Sequence, residues 1–148
     1  MADPGVNNLK PFYDVVEQVI IGLGAPIDQC RCVNQQGQII PGQWSLVKGS
    51  ANVYVDVYVP QGSESAYFCI ASPVMQVVTP KLKEFYEKLL SLNHDMYGAS
   101  FSISKGWVWC RILRECEGMD ANECKASFDR VGYYADQYDD ELKAEFGG

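Results

Sequence analysis

The sequence predicts an α+β fold: an antiparallel sheet with helices beside it, in the order α-βββ-α-ββ-α. Three observations carry this. Apolar residues recur at helical spacing near the start, in the middle and over the last quarter of the chain. Between these stretches the period changes to two, most clearly in NVYVDVYVP. Within each run of strands the connections are tight turns, at Lys48-Gly49-Ser50, Pro60 to Ser63 and Lys105-Gly106, as an antiparallel meander and hairpin have.

The first helix is read from Leu9, Phe12, Val15, Val16, Val19, Ile20 and Leu23, with Asn7 or Asn8 as N-cap and Pro11 in the first turn. A missing N–H is tolerated there because that turn has no intrahelical acceptor for it. Gly22 and Gly24 stop the helix, with Pro26 just beyond. Residues Gln29 to Gly42 read as a polar, turn-rich connection. Then Trp44 and Leu46 alternate with Ser45 and Val47, and Lys48-Gly49-Ser50 forms a tight turn. In the next strand Val53, Val55, Val57 and Val59 point one way, and Tyr54, Asp56 and Tyr58 the other. After a turn at Pro60 to Ser63, SAYFCIASPVMQVV completes a three-stranded meander, bent or interrupted at Pro73.

Thr79-Pro80 signals a helix start, with Thr as cap and Pro at the first helical position. That helix is expected to bury Leu82, Phe85, Tyr86, Leu89, Leu90 and Leu92, and to end in Asn93-His94-Asp95. Phe101 and Ile103 then alternate with serines, Lys105-Gly106 makes a two-residue hairpin turn, and WVWCRIL returns. On this return strand Trp107, Trp109, Arg111 and Leu113 share a face, opposite Val108, Cys110 and Ile112. Asp120 with Glu123 is a capping box. The closing helix carries a narrow apolar stripe, Cys124, Phe128, Val131, Ala135, Tyr138, Leu142 and Phe146, with every acid off it.

Composition bounds the function. At 148 residues, 47% of them hydrophobic and 21% charged, the chain is an ordinary globular one, read as a single domain over residues 1–148. No apolar run is long enough for a membrane span, and MADPGVNNLKPF lacks the character of a signal peptide, so the expectation is a cytoplasmic protein. Net charge is −7, and residues from Glu115 onward carry ten acids against three bases, while the part before balances nine against nine. Such a charge disfavours nucleic acid and anionic membrane as partners.

The six cysteines read as buried thiols. Cys30-Arg31-Cys32 is a C-x-C, not the C-x-x-C of redox and zinc sites, so neither metal nor cofactor is expected. His94-Asp95 is the sole pair that resembles acid–base machinery, but a histidine at a helix C-terminus also suits the negative end of the dipole. The plain reading of Trp107 and Trp109 is core packing beneath the long helix. The sharper one is an aromatic strip, with Arg111, at a dimer or partner surface. Tyr54 and Tyr58 are competing candidates for an open sheet face.

The element order, together with LLSLNHDMYGASFSISKGWVWCRIL, resembles the YbjN-like family, which shares the type III secretion chaperone-like fold. The residues that carry the likeness are Leu92-Asn93 at a helix end, the small-residue strand Ala99 to Ser104, the aromatic strand Trp107 to Leu113, and V-x-x-x-A-D from Val131 to Asp136 in a long closing helix. The resemblance implies a bacterial protein without established catalytic residues; several members are labelled regulators of sensory transduction. The wider fold includes small acidic homodimers that bind extended segments of partner proteins. The expectation is therefore a non-enzymatic, homodimeric protein-binding or chaperone-like module. The alternative is a small-ligand sensor or enzyme with its pocket between the sheet and the C-terminal helix, for which His94, Asp95 and Asp56 are the available materials.

Overall fold

A computed structural model describes the backbone of residues 4–147 and the side chains from Leu9 onward. Helix α1 (Pro4–Gly22) and a single turn α2 (Ile27–Cys30) lead into β1 (Arg31–Val33), β2 (Ile39–Lys48), β3 (Ala51–Tyr58) and β4 (Tyr67–Gln76). Helix α3 (Leu82–Asp95), β5 (Ser100–Ser104), β6 (Trp107–Glu115) and α4 (Ala121–Phe146) follow. The six strands form one antiparallel sheet in the order β1-β2-β3-β4-β6-β5. The α+β architecture and the antiparallel meander are thus as expected, with α2 and β1 added.

One face of the sheet carries the core. Val53, Val55 and Val57 of β3, Phe68, Ile70 and Val74 of β4, and Val108, Cys110 and Ile112 of β6 are all buried. Helix α4 crosses β4, β3 and β6 and presses Phe128, Val131, Ala135 and Leu142 onto them. Helix α1 packs beside α4 through Val16, Val19 and Ile20. Each fully buried side chain of this kind contributes roughly 1.5–3 kcal/mol.

The joints are as informative as the core. The Asp120–Glu123 capping box is present in both directions. Asn93, at the end of α3, accepts from the Phe101 N–H (2.6 Å) and donates to the Phe101 carbonyl (3.3 Å). It thereby acts as a one-residue strand against the β5 edge. Asp136 of α4 accepts a hydrogen bond from the Ser50 hydroxyl in the β2–β3 turn. Two polar positions of the C-terminal signature therefore fasten helices to the sheet. Lys105 and Gly106 both have positive φ (52° and 81°), as a primed hairpin turn demands. The bend at Pro73 is a register shift between Pro73 and Met75, which lets Val74 and Met75 both bury.

Several expectations are corrected. α1 begins at Pro4, so Asn7 and Asn8 are not caps and Pro11 sits inside the helix, where one backbone bond is forgone. α3 begins at Leu82, with Lys81 in a left-handed conformation and no side-chain cap, so Thr79-Pro80 lies ahead of the helix. Of its expected buried residues Phe85 and Leu89 are buried and Leu92 half-buried, whereas Leu82, Tyr86 and Leu90 are exposed. Val59 lies beyond the end of β3 and is exposed.

The stretch read as a loop holds β1 and the first part of β2. An Asx turn at Asn34, accepting from the N–H groups of Gln36 and Gln38, joins them. Pro41-Gly42, which read as a loop, is a kink within β2. A Cβ on Gly42 (φ 79°) would lie 2.5 Å from the Val57 carbonyl oxygen.

Two substitutions weigh these contacts. Phe128→Ala lowers the unfolding free energy by about 3–5 kcal/mol. Asn93→Ala, which leaves a strand amide and carbonyl unpaired, costs about 1–3 kcal/mol. Urea unfolding followed by circular dichroism measures both.

Candidate protein-binding surface

Because α1 and α4 both pack on one face of the sheet, among the described residues no helix lies over the opposite face. Strand alternation sends Tyr54, Asp56 and Tyr58 there from β3, Tyr67, Cys69 and Ala71 from β4, and Trp107, Trp109, Arg111 and Leu113 from β6. Trp107 and Trp109 are therefore not core beneath the long helix. Their neighbours Val108 and Cys110 fill that place, since side chains of adjacent strand residues point to opposite faces. Nor do the tyrosines and tryptophans compete for the open face: they share it. Trp109 and Tyr54 meet edge to face, ring centroids 6.0 Å apart at 66°. Trp107, Tyr54 and Tyr58 remain 39%, 43% and 38% exposed, and Trp109 and Arg111 are half-buried.

The register orders this face into rows. Tyr54 opposes Ala71, Ala71 opposes Arg111, and Arg111 opposes Ser100. The next row runs Asp56, Cys69, Leu113, and a further one pairs Trp109 with Ser102. Small residues thus form a floor between aromatic and charged rims. Burial pushes up the Asp56 carboxyl. It also raises the Cys69 thiol, against the pull of Arg111, and the Tyr58 phenol.

A second apolar surface lies where α3 meets the β5 edge. Leu82, Tyr86 and Leu90 recur at four-residue steps on the outer side of α3, with Leu90 69% exposed. Between Tyr86, Leu89, Leu90, Phe101 and Ile103 runs an open groove of about 330 Å³. Sequence reasoning assigned these side chains to the core, because an amphipathic stripe does not reveal whether its cover is the sheet or another molecule.

The materials for a catalytic reading do not converge. His94 and Asp95 are exposed at the end of α3 beside β5, whereas Asp56 lies on β3, separated from β5 by β4 and β6. The seam between α4 and the sheet is filled by Phe128, Val131 and Leu142. A polar cleft of about 530 Å³ opens between β6 and the start of α4, but Arg114 and Glu123 there satisfy each other at 3.1 Å. Among the described residues no three His, Cys, Asp or Glu side chains are grouped to hold a metal ion, and no helix is long and apolar enough to cross a membrane. Burial raises the Cys110 and Cys124 thiols to about 12 and Cys116 to about 11, which leaves them protonated.

The fold, a six-stranded antiparallel sheet with its long helices on one face, is type III secretion chaperone-like. The chain belongs to the TY-Chap1 family, the T3SS (YopN, CesT) and YbjN peptide-binding chaperones, whose model matches residues 40–148. Its fold is similar to that in the ExsC–ExsE complex (TM-score 0.64, 13% identity, over 90% of this chain and 94% of that one). It is likewise similar to the HopA1–SchA chaperone–effector complex (TM-score 0.61, 9% identity, over 90% and 96%). No curated protein matches the chain significantly in sequence.

Two carboxyls predict opposite responses to pH. The Arg31 guanidinium, hydrogen-bonded to Glu17 at 2.7 and 2.8 Å, holds that carboxyl below its ordinary value, with the Trp44 indole adding to the effect. The fold therefore favours ionised Glu17. That stabilisation is complete above 4.5 and is lost as pH falls through the lower folded value. Asp56 is raised, so the fold favours its neutral form. Its contribution is complete below 3.8 and lost as pH rises through the folded value. Asp56→Asn is expected to raise the thermal midpoint at neutral pH and Glu17→Gln to lower it, with both gaps narrowing in acid. Thermal melts over a pH series check this.

Proposed function

We propose that the chain is a non-enzymatic, cytoplasmic peptide-binding module, chaperone-like or regulatory, that works as a homodimer. The observation that carries the reading is the uncovered aromatic face, where Tyr54, Tyr58, Trp107, Trp109 and Arg111 stand together without a helix over them. Trp, Tyr and Arg are the residues that dominate binding energies at protein interfaces. Membership of a family described as peptide-binding chaperones supports the same reading.

The two surfaces differ in character, and the roles follow from that. The α3–β5 surface is mainly aliphatic, with Leu82, Leu90 and Ile103 exposed beside Tyr86. Homodimer interfaces are richer in such apolar area than transient ones. A second copy therefore belongs on α3 and β5. The partner segment belongs on the open face, whose phenols, indoles and guanidinium combine apolar area with hydrogen-bonding ends.

Native mass spectrometry is expected to give twice 16.5 kDa, falling to 16.5 kDa for Leu90→Glu. The wild-type chain is expected to enrich peptides from a displayed random 12-residue library. Trp109→Ala is expected to lose about tenfold or more in affinity for the selected peptides while keeping the dimer mass. A monomeric wild type sinks the dimer, and a wild type that enriches nothing sinks the peptide site.

A further inference from the structure

The open face has a charge of its own that the whole-chain value conceals. In a protein of net charge −7, neither the stretch Tyr67–Gln76 nor the stretch Ser100–Leu113 contains an Asp or Glu. Among the half-buried cations, Arg31, Lys48, Lys88 and Arg114 all sit in ion pairs. Arg130 lies in a cleft shared with Glu115, Glu117 and Glu123. Arg111 is different: among the described residues no carboxylate lies within 4 Å of it. The acids on the faces of β3, β4 and β6 around it are Asp56, one strand beyond β4 and one row away, and Glu115, four residues along β6, roughly 12 and 13 Å from Arg111 by strand spacing.

A half-buried guanidinium with no anion has given up part of its hydration without compensation, and it binds carboxylates strongly when one is offered. Its surroundings admit one. Ala71 and Ser100 flank it in its row, and neither is bulky enough to cover it. Trp109, two residues away on the same strand and the same face, stands beside it with Tyr54 against its ring.

We propose that Arg111 selects an acidic residue in the bound segment, placed two positions from an apolar or aromatic residue that packs on Trp109 and Tyr54. The spacing follows from the strand. Arg111 and Trp109 are separated by one strand repeat, about 6.7 Å, and an extended peptide lying along β6 presents its i and i+2 side chains at that interval. The favoured occupant is thus an extended segment of a partner protein with an Asp or Glu two residues from a Phe, Trp, Leu or Ile. This inference rests on the peptide-binding reading above.

The test is the same displayed random 12-residue library, now read for sequence, on the wild type, Arg111→Lys, Arg111→Gln and Arg111→Glu, with circular dichroism to confirm that each is folded. Wild type and Arg111→Lys are expected to enrich the acidic–x–apolar spacing in either direction. Arg111→Gln is expected to keep the apolar preference and lose the acidic one, with affinity for a selected wild-type peptide falling about ten- to hundredfold. Arg111→Glu is expected to exchange the acidic preference for Lys or Arg. Apolar peptides enriched without an acid, or an acidic preference that survives Arg111→Gln, would overturn this inference and leave the peptide site standing. Enrichment of nothing by the folded wild type overturns both. A native mass that halves on Arg111→Gln shows that the face is covered by a second copy of the chain, which also overturns it.

Discussion

The packing of α4 across the sheet is the contact on which the rest of the molecule depends. Phe128, Val131, Ala135 and Leu142 lie on one side of a helix some 39 Å long by its 26 residues, and the valines and isoleucines of β3, β4 and β6, with Phe68, supply the matching surface. Once that face is chosen, strand alternation leaves no freedom: Val108, Cys110 and Ile112 go inward, and Trp107, Trp109 and Arg111 go outward. The open aromatic face is the geometric consequence of where the core was put.

Around this contact the polar groups act mainly as fasteners. The Asp120–Glu123 box starts α4, Asp136 ties its middle to the β2–β3 turn, and Lys88 of α3 reaches Glu141 and Glu145 near its end. Glu17 gathers Arg31 and Trp44, joining α1 to β1 and β2. Much of the acidity that marks the last 34 residues is consumed in this way on the helical side. The open face, a sheet thickness away, carries only Asp56 and Glu115 on β3, β4 and β6. Net charge is therefore a poor guide to what each side of this chain attracts, because at physiological salt fields of exposed charges fade within about 8 Å.

The division between the two apolar surfaces has a physical logic as well. The α3–β5 surface is mainly aliphatic and continuous with the core through Phe85, Leu89 and Phe101, so a copy seated there would extend an existing hydrophobic cluster. Asn93 occupies the β5 backbone at Phe101, which hinders strand-to-strand pairing at that point and favours contact through side chains. The open face offers aromatic rings with polar ends over a floor of small residues.

What the sequence alone determined was local. Period-two alternation in NVYVDVYVP and WVWCRIL, the Asp120 box, the Lys105-Gly106 turn and the stripe of α4 each depend on residues a few positions apart, and each was legible. So was the shared face of Trp107, Trp109 and Arg111, and the likeness to the YbjN-like family. Three things were not. The strand β1 is three residues long and exists only because β2 and the Asn34 turn hold it. Leu82, Tyr86 and Leu90 look the same in sequence whether covered by their own sheet or left bare. The outward aim of the tryptophans required knowing which face α4 would cover. Periodicity says that two faces differ, but burial is a property of the whole assembly of elements, and only the tertiary structure decided which face meets water.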